Sequence, residues 1–352
     1  MIDSVLVESV KPSQIKKIAS GIDSLTLLDV YSPIQNLDNF AKDVLLGLKA
    51  DKKFLSPKYF YDQKGSELFV QITKTDEYYP TRTEREIINQ FSPDIIKKCE
   101  NVEQLIELGS GTSEKTDILL KNFHEKRNKI DYIMIDVSDI IIESGKELLK
   151  KYDRLSVTGI LSDYTRGLTL VPKIGNKAKL ILFLGSSIGN FEPHEIEKFL
   201  VLTRQNLNQE DFILVGFDLV KDRKILHAAY NDTKGITKAF NLNILRRINR
   251  ELEANFDLNK FEHHAFYNEN RSRIEMHLVS KENQMVTIDA LKIKIYFKKN
   301  ESIHTENSYK FTHKMIHSYA GMANLNIIKT WTDPANYFAL CLMRQNRKNI
   351  CA

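Results

Sequence analysis

Residues Leu105–Thr116 read LIELGSGTSEKT, and the next apolar run, Tyr132–Val137, reads YIMIDV. An apolar strand thus runs into Gly109, Ser110 and Gly111 and on into a candidate helix. A second strand then delivers Asp136 at its C-terminal end. Doubly wound sheets hold adenosine-bearing cofactors in this way: glycines let the backbone approach, and a carboxylate accepts hydrogen bonds from ribose hydroxyls. A dinucleotide fingerprint would continue G-x-G-x-x-G, whereas this turn runs Gly109-Ser110-Gly111-Thr112-Ser113-Glu114. The third glycine is missing. A nucleoside cofactor without a pyrophosphate, such as S-adenosylmethionine, fits better than NAD. An ordinary strand–helix corner can carry the same glycines, so the turn does not decide the function alone.

The surrounding chain alternates strand and helix. Strands are expected at Leu105–Leu108, Tyr132–Val137, Leu155–Leu161, Leu180–Leu184 and Phe212–Asp218, with helices at Ser113–Lys121, Ile140–Lys150 and Pro193–Leu207. Continuous apolar runs indicate strands covered on both faces, hence a mostly parallel sheet. After about residue 220 the rhythm breaks. Lys224–Ala239 and Leu242–Glu253 read as helices, Arg273–Leu278 and Thr287–Phe297 as exposed antiparallel strands, and Lys310–Ala323 as a further helix. Asn326–Thr332 and Tyr337–Met343 form a closing pair, too small to bury a core alone and so expected beside the first sheet. Upstream, Asn36–Leu48 reads as an amphipathic helix. Thr81–Phe91 reads as another, started at Thr81 or Thr83 with Glu84 and Glu86 in its first turn. The expected fold is α/β, a class I S-adenosylmethionine-dependent methyltransferase (Rossmann-like) sheet with an inserted α+β substrate-binding domain. Residues 83–221 and 310–352 would form the cofactor domain, and 1–82 with 222–309 the substrate domain. The cleft between them, at the carboxyl ends of the parallel strands, is the expected active site.

Composition narrows the function classes. A net charge of +5 over 352 residues, with charges interspersed, is no basic stripe and argues against nucleic acid as partner. Cys99, Cys341 and Cys351 are too few and too scattered for a disulfide framework or a zinc site. His263 and His264 are adjacent and lack a carboxylate or cysteine at metal spacing, so no metal is expected. The N-terminus lacks a secretory signal, and no apolar run is long enough for a bilayer. A cytoplasmic monomer acting on a small molecule is the expected setting, with no membrane partner.

Longer runs are more specific than the glycine turn. SPKYFYDQKGSELFVQIT, EYYPTR, LIELGSGTSEKT, FLGSSIGN, DLVKD, FNLNILRRINRELEANFD, RIEM, TENSYKF and WTDPANYF together resemble the histidine Nα-methyltransferases of ergothioneine biosynthesis, from about Leu55 to Met343. The resemblance implies three successive methyl transfers from S-adenosylmethionine to the α-amine of L-histidine, giving hercynine. Related members use other amino acids, including tryptophan, and that is the alternative reading. A noncatalytic cofactor- or amino-acid-binding scaffold is the reading from another class, opposed by the retained glycines and aspartates.

The residues divide into two groups. Asp136 lies 27 residues after Gly109 and is the ribose candidate, while Asp163, after the third strand, is placed to meet the adenine amino group. Tyr164 beside it would add backbone contacts to the ring. A lone aspartate at a strand end is often only a turn residue, and it is the pair on successive strands that favours a site. The resemblance further implies that Gly109, Ser110 and Gly111 underlie the cofactor, that Lys115 contacts its carboxylate, and that Tyr78 and Gly185 border it. On the substrate side it implies Tyr61 near the reacting amine, Gly185 and Asn190 at the amino and carboxylate groups, and Tyr230 at the carboxylate. Glu306 and Ser308 would read the imidazole beside Met276. Tyr61, Asn190 and Gly185 are therefore the catalytic candidates, with Tyr61 as proton relay. Asn307 replaces a valine of the family pattern. In an extended segment it would point away from Glu306 and Ser308, which share a face.

Overall fold

The computed structural model describes residues 15–20, 23–29, 33–126, 129–174 and 177–346. Met1–Gln14 and Cys351 lie outside the described residues. The strands of the main sheet are β1 (Ile15–Ser20), β2 (Asp23–Asp29), β3 (Gln104–Leu108), β4 (Ile130–Asp136), β5 (Leu155–Leu161), β6 (Lys179–Phe183) and β7 (Phe212–Asp218). A second group comprises β8 (Phe261–Asn268), β9 (Arg273–Ser280), β10 (Gln284–Ile288), β11 (Ile293–Phe297) and β12 (Ser302–Tyr309). Finally β13 (Leu325–Thr332) and β14 (Phe338–Gln345) return to the main sheet, whose spatial order is β1-β2-β5-β4-β3-β6-β7-β14-β13. Strands β2 to β7 run parallel, and β14, β13 and β1 are antiparallel to their neighbours. This is the class I methyltransferase sheet with an added edge.

Ten helices are described: α1 (Pro33–Lys49), α2 (Gln63–Ile72), α3 (Tyr79–Lys98), α4 (Glu114–Lys126), α5 (Ile140–Lys151), α6 (Tyr164–Ile174), α7 (Pro193–Gln205), α8 (Arg223–Tyr230), α9 (Ile236–Leu252) and α10 (His313–Met322). Alternate residues along the central strands enter opposite cores, as the pleat requires. Leu105, Leu180 and Leu182 pack with α3, α4 and α5, whereas Ile106, Ile181 and Phe183 pack with α6, α7 and α10. A third core joins α1, α2, α8 and α9 to the sheet β12-β9-β8 through Phe40, Phe60, Phe240, Phe261 and Ile274.

Chain order reverses direction at β3. It proceeds to β4 and β5 on one side, then crosses to β6 and β7 on the other. The β3–β6 junction is thus the topological switch point where such sheets leave a ligand crevice.

Several expectations need correction. Residues 15–29 form the β1–β2 hairpin on the β5 edge, so the main sheet has six parallel strands where five were expected, and this hairpin does not join the second lobe. Helix α3 starts at Tyr79, with Pro80 in its first turn, and runs through Pro93. Glu84 is therefore no first-turn residue. The expected helix Lys224–Ala239 breaks at Asn231–Gly235, where the Asp232 carboxylate accepts from Ile236 N and Thr237 N at 2.8 and 2.7 Å and starts α9. Thr287–Phe297 is the turn and second arm of the β10–β11 hairpin. Helix α10 begins at His313, capped by the Thr312 side chain, which leaves Lys310 outside it and wholly buried.

Candidate active site

Because β3 and β6 are paired, the turns that follow them lie side by side at the carboxyl edge. Gly109 and Gly185 have φ of 74° and 78°, in the left-handed region that a Cβ disfavours. A Cβ on Gly109 would also lie 3.0 Å from the Tyr164 hydroxyl. Beyond Gly111 such an atom would meet nothing within 4 Å, so the turn faces open space. At the end of β4, Asp136 accepts from Gly111 N and Ser138 N, each at 2.9 Å and each on a different oxygen. Both oxygens keep lone-pair capacity for a diol. Burial holds this carboxyl above its usual range, against the pull of the backbone N–H groups of Gly111, Ser138 and Val137. The buried Ser110 hydroxyl has no partner among the described residues. An open glycine turn, an orphaned hydroxyl and a carboxylate with spare acceptor capacity fit an adenosine-bearing cofactor. Asp163 is half-buried, and its Oδ1 accepts from Arg166 N at 3.0 Å, the bond an ordinary turn aspartate makes.

Lys115, on α4, reaches a partner the sequence did not suggest. Its Nζ lies 2.5 Å from Oε2 of Glu84, a fully buried carboxylate on α3. Glu84 also accepts from Gly185 N at 2.8 and 3.0 Å. One carboxylate therefore ties the first βα turn to the loop after β6. Gly216 makes room for it, since a Cβ there would sit 2.1 Å from Glu84 Oε1. Contacts of this kind, 101 residues apart for Glu84 and Gly185, leave no periodic trace in a sequence.

Next to this turn lies a pocket walled by both lobes. It brings together Tyr61, Gly185, Asn190, Tyr230, Met276, Glu306 and Ser308, the seven residues expected around a substrate. Tyr78 lines it too, whereas Gly109, Ser110, Gly111, Lys115, Asp136, Asp163 and Tyr164 do not. Asp218, Thr237, Phe69 and Phe240 are among the further lining residues and were not anticipated. Strand β12 shifts register between His304 and Glu306 and is extended from there on. Glu306 and Ser308 face the pocket, while Asn307 Nδ2 donates to Glu192 Oε1 at 2.8 Å on the far side. The Asn307 departure from the family pattern is thus outside the pocket. Gly189 lets the loop approach the same strand, since a Cβ there would lie 2.8 Å from Tyr309 O. Tyr61 is set edge-on to Phe69 and Phe240, with centroids 5.6 and 5.8 Å away.

Burial raises the Tyr61, Tyr78 and Tyr230 hydroxyls well above their usual pKa, so all three are neutral phenols. Burial likewise pushes the Glu306 carboxyl up to about 7, with Lys310 pulling the other way. The Glu306 carboxyl group accepts no hydrogen bond among the described residues, although its backbone carbonyl lies 3.1 Å from His304 Nε2. Beneath the pocket, Lys310 pairs with Asp218 at 2.8 Å, and Lys221 pairs with Asp218 as well. Tyr79 OH donates to the same carboxylate at 2.7 Å. Burial opposes ionisation of Asp218, but the two ammonium groups outweigh it and hold its carboxyl below the usual range.

The two adjacent histidines lie on β8 with different roles. Asn241 Nδ2 donates to His263 Nδ1 at 2.9 Å, so His263 Nε2–H donates to Tyr230 O at 2.9 Å and anchors that segment. Elsewhere Glu275, His277 and His304 bring one possible metal-ligand atom each within 4.8 Å of one another. Arg273 already holds Glu275 at 2.8 Å and opposes a cation there.

A model of the family described as histidine-specific, SAM-dependent methyltransferases matches residues 40–345. The chain belongs to this family. It is 39% identical over 320 residues to a histidine N-alpha-methyltransferase of Mycolicibacterium smegmatis, covering 91% of this chain and 99% of the relative. A histidine N-alpha-methyltransferase of Mycobacterium tuberculosis is also 39% identical, over 86% of this chain and 93% of its own length. An L-tryptophan methyltransferase of Psilocybe serbica is 26% identical over 83% of this chain and 88% of its own. No helix among the described residues is long and apolar enough to cross a membrane.

Asp136→Ala should weaken S-adenosylhomocysteine binding by about 1–3 kcal/mol, the range for lost hydrogen bonds to a charged group. Calorimetric titration checks this, and unchanged affinity would remove Asp136 from the cofactor site. Glu306 yields a pH test. Its carboxyl titrates higher in the folded chain, at about 7, than the ordinary 4.5, so the folded state favours the protonated form. Its contribution to stability is present below the ordinary value and is lost as pH rises through about 7. Glu306→Gln should therefore melt above the substrate-free wild type at pH 8, by on the order of 1–3 kcal/mol, with the gap closing by pH 5. A pH-independent gap would contradict the assigned burial penalty.

Proposed function

We propose that this protein transfers methyl groups from S-adenosylmethionine to the α-amine of L-histidine, three in succession, to give hercynine. The observation that carries this reading is the placement of Glu306 and Ser308 on one pocket wall, with the Glu306 carboxyl group free of any hydrogen-bond donor among the described residues. A neutral imidazole has one N–H and one bare nitrogen, which a carboxylate acceptor and a hydroxyl donor complement. Met276 supplies an adaptable apolar wall beside the ring. An indole has an N–H but no ring acceptor, so it would leave Ser308 unpaired, and it needs more room. That is why histidine is favoured over the tryptophan reading despite the relative that uses it.

S-adenosylmethionine, when bound, supplies a methyl group already activated by its sulfonium. Gly109, Ser110, Gly111, Asp136 and Lys115 would hold it, with Asp163, Tyr164 and Tyr78 at its margins. The protein's remaining tasks are orientation and exclusion of water. Gly185 lines the substrate pocket and lies against Lys115, since a Cβ there would be 3.4 Å from Lys115 Nζ, and an amine beside it would face the methyl group. The Asn190 amide makes no hydrogen bond among the described residues and is free to aim the amine lone pair. Tyr230 lines the pocket, but its hydroxyl donates to Ser308 Oγ at 2.7 Å and has no hydrogen left for the substrate carboxylate.

An ammonium cannot attack, so the amine sheds a proton before each transfer. Tyr61 is a neutral phenol and serves as a relay, accepting the proton of the ammonium while passing its own to solvent water; it is not a phenolate base. The aromatic wall of Tyr61, Tyr78, Phe69 and Phe240 accommodates the growing methylammonium by cation–π attraction.

Incubation with S-adenosylmethionine and L-histidine should yield the mono-, di- and then trimethylated amino acid by mass spectrometry. A higher kcat/KM for tryptophan, or for a peptide N-terminus, would overturn the assignment. Glu306→Ala should lower kcat/KM for histidine by on the order of 100-fold or more while leaving the KM for S-adenosylmethionine in place. Wild-type kinetics in that variant would return Glu306 to a structural role.

A further inference from the structure

Lys310 takes no part in the scheme above, yet its side chain is wholly buried directly behind Ser308. Its ammonium has three hydrogens and three acceptors: Asp218 Oδ2 at 2.8 Å, Ser308 Oγ at 2.8 Å and Tyr230 OH at 3.1 Å. An ammonium can only donate. Ser308 Oγ and the Tyr230 oxygen therefore both accept from it. Tyr230 in turn donates its single hydrogen to Ser308 Oγ at 2.7 Å. The Ser308 oxygen thus accepts twice and both its lone pairs are engaged. Only its own hydrogen is left. Among the described residues nothing accepts that hydrogen, and Ser308 lines the pocket.

We propose that Lys310 is a positioning residue for substrate selection, fixing the Ser308 hydroxyl as a hydrogen-bond donor into the pocket, so that the site takes a ring with a bare nitrogen at Ser308 and an N–H at Glu306. The proposal rests on the histidine reading and sharpens it. Without Lys310 the serine hydroxyl could rotate and accept instead, and the pocket would lose its means of rejecting rings that carry only donors. Asp218 and Tyr230 keep the ammonium from turning away, because releasing either would leave a buried polar group unpaired. The selectivity of β12 is thereby set by Lys310, which is not in the pocket lining, held by two lining residues at the ends of β7 and α8, Asp218 and Tyr230.

The test uses the full-length protein, L-histidine, and the two pyrrolylalanine isomers, which keep a ring N–H at one imidazole position or the other and lack any acceptor nitrogen. The wild type should prefer histidine over both isomers by about 100-fold or more in kcat/KM. Lys310→Met should raise the histidine KM about 10-fold, leave the KM for S-adenosylmethionine unchanged, and shrink that preference by on the order of 10-fold. Lys310→Arg, which keeps the donors, should restore most of it. Ser308→Ala should cost much less in the Lys310→Met background than in the wild type, because the two residues act as one unit. Costs that multiply independently would overturn the proposal, as would an unchanged preference in Lys310→Met. If Lys310→Met does not fold, the wild type still decides: equal use of histidine and either pyrrolylalanine would show that Ser308 does not donate. No turnover of histidine at all would instead remove the functional reading on which the proposal stands.

Discussion

The parallel pairing of β3 with β6 is the constraint on which the site depends. Its register, Gln104 with Lys179 through Glu107 with Leu182, brings two glycine turns from distant parts of the chain to one edge. The first turn opens towards Asp136, and the second enters the pocket. Glu84 then locks the two together by accepting from Gly185 N and pairing with Lys115. A carboxylate without solvent is costly unless its lone pairs are met, and here an ammonium and a backbone N–H meet them. Gly216 is the steric condition for that arrangement. A transfer reaction needs its two partners within van der Waals reach, and this clamp sets the distance between them.

A second buried cluster joins the lobes. Asp218 ends β7, Lys221 follows it, Lys310 follows β12, and Tyr79 opens α3, and all four side chains converge. Buried ion pairs of this kind stabilise little on balance, because desolvation offsets their attraction. Their use here is geometric. They fix where β12 stands relative to the main sheet, and so where Glu306 and Ser308 stand relative to Gly185. They also place excess positive charge beneath a pocket whose own carboxylate, Glu306, is held near neutrality by burial.

Much of the main sheet was legible because β3, β6 and β7 are buried on both faces and therefore read as unbroken apolar runs. The turn after β3 and Asp136 after β4 were legible for the same reason: both are fixed by position relative to a strand. The β1–β2 hairpin was not, since short edge strands carry little periodicity, and α6 went unread beside the Asp163 turn. The pocket lining was reached through long family motifs, as composition offers no way to choose three tyrosines from 14. Glu84, Asp218 and Lys310 escaped altogether. Each is a charged residue whose partners lie far along the chain, and a sequence read locally assigns such residues to the surface.

The central claim is that cofactor and amino acid occupy adjoining but separate sites that meet at Gly185. Calorimetric titration of L-histidine into the protein, with and without saturating S-adenosylhomocysteine, tests it most directly. The account predicts one histidine per chain bound in the presence of the spent cofactor, with affinity equal to or greater than in its absence. Mutually exclusive binding of the two ligands would contradict it.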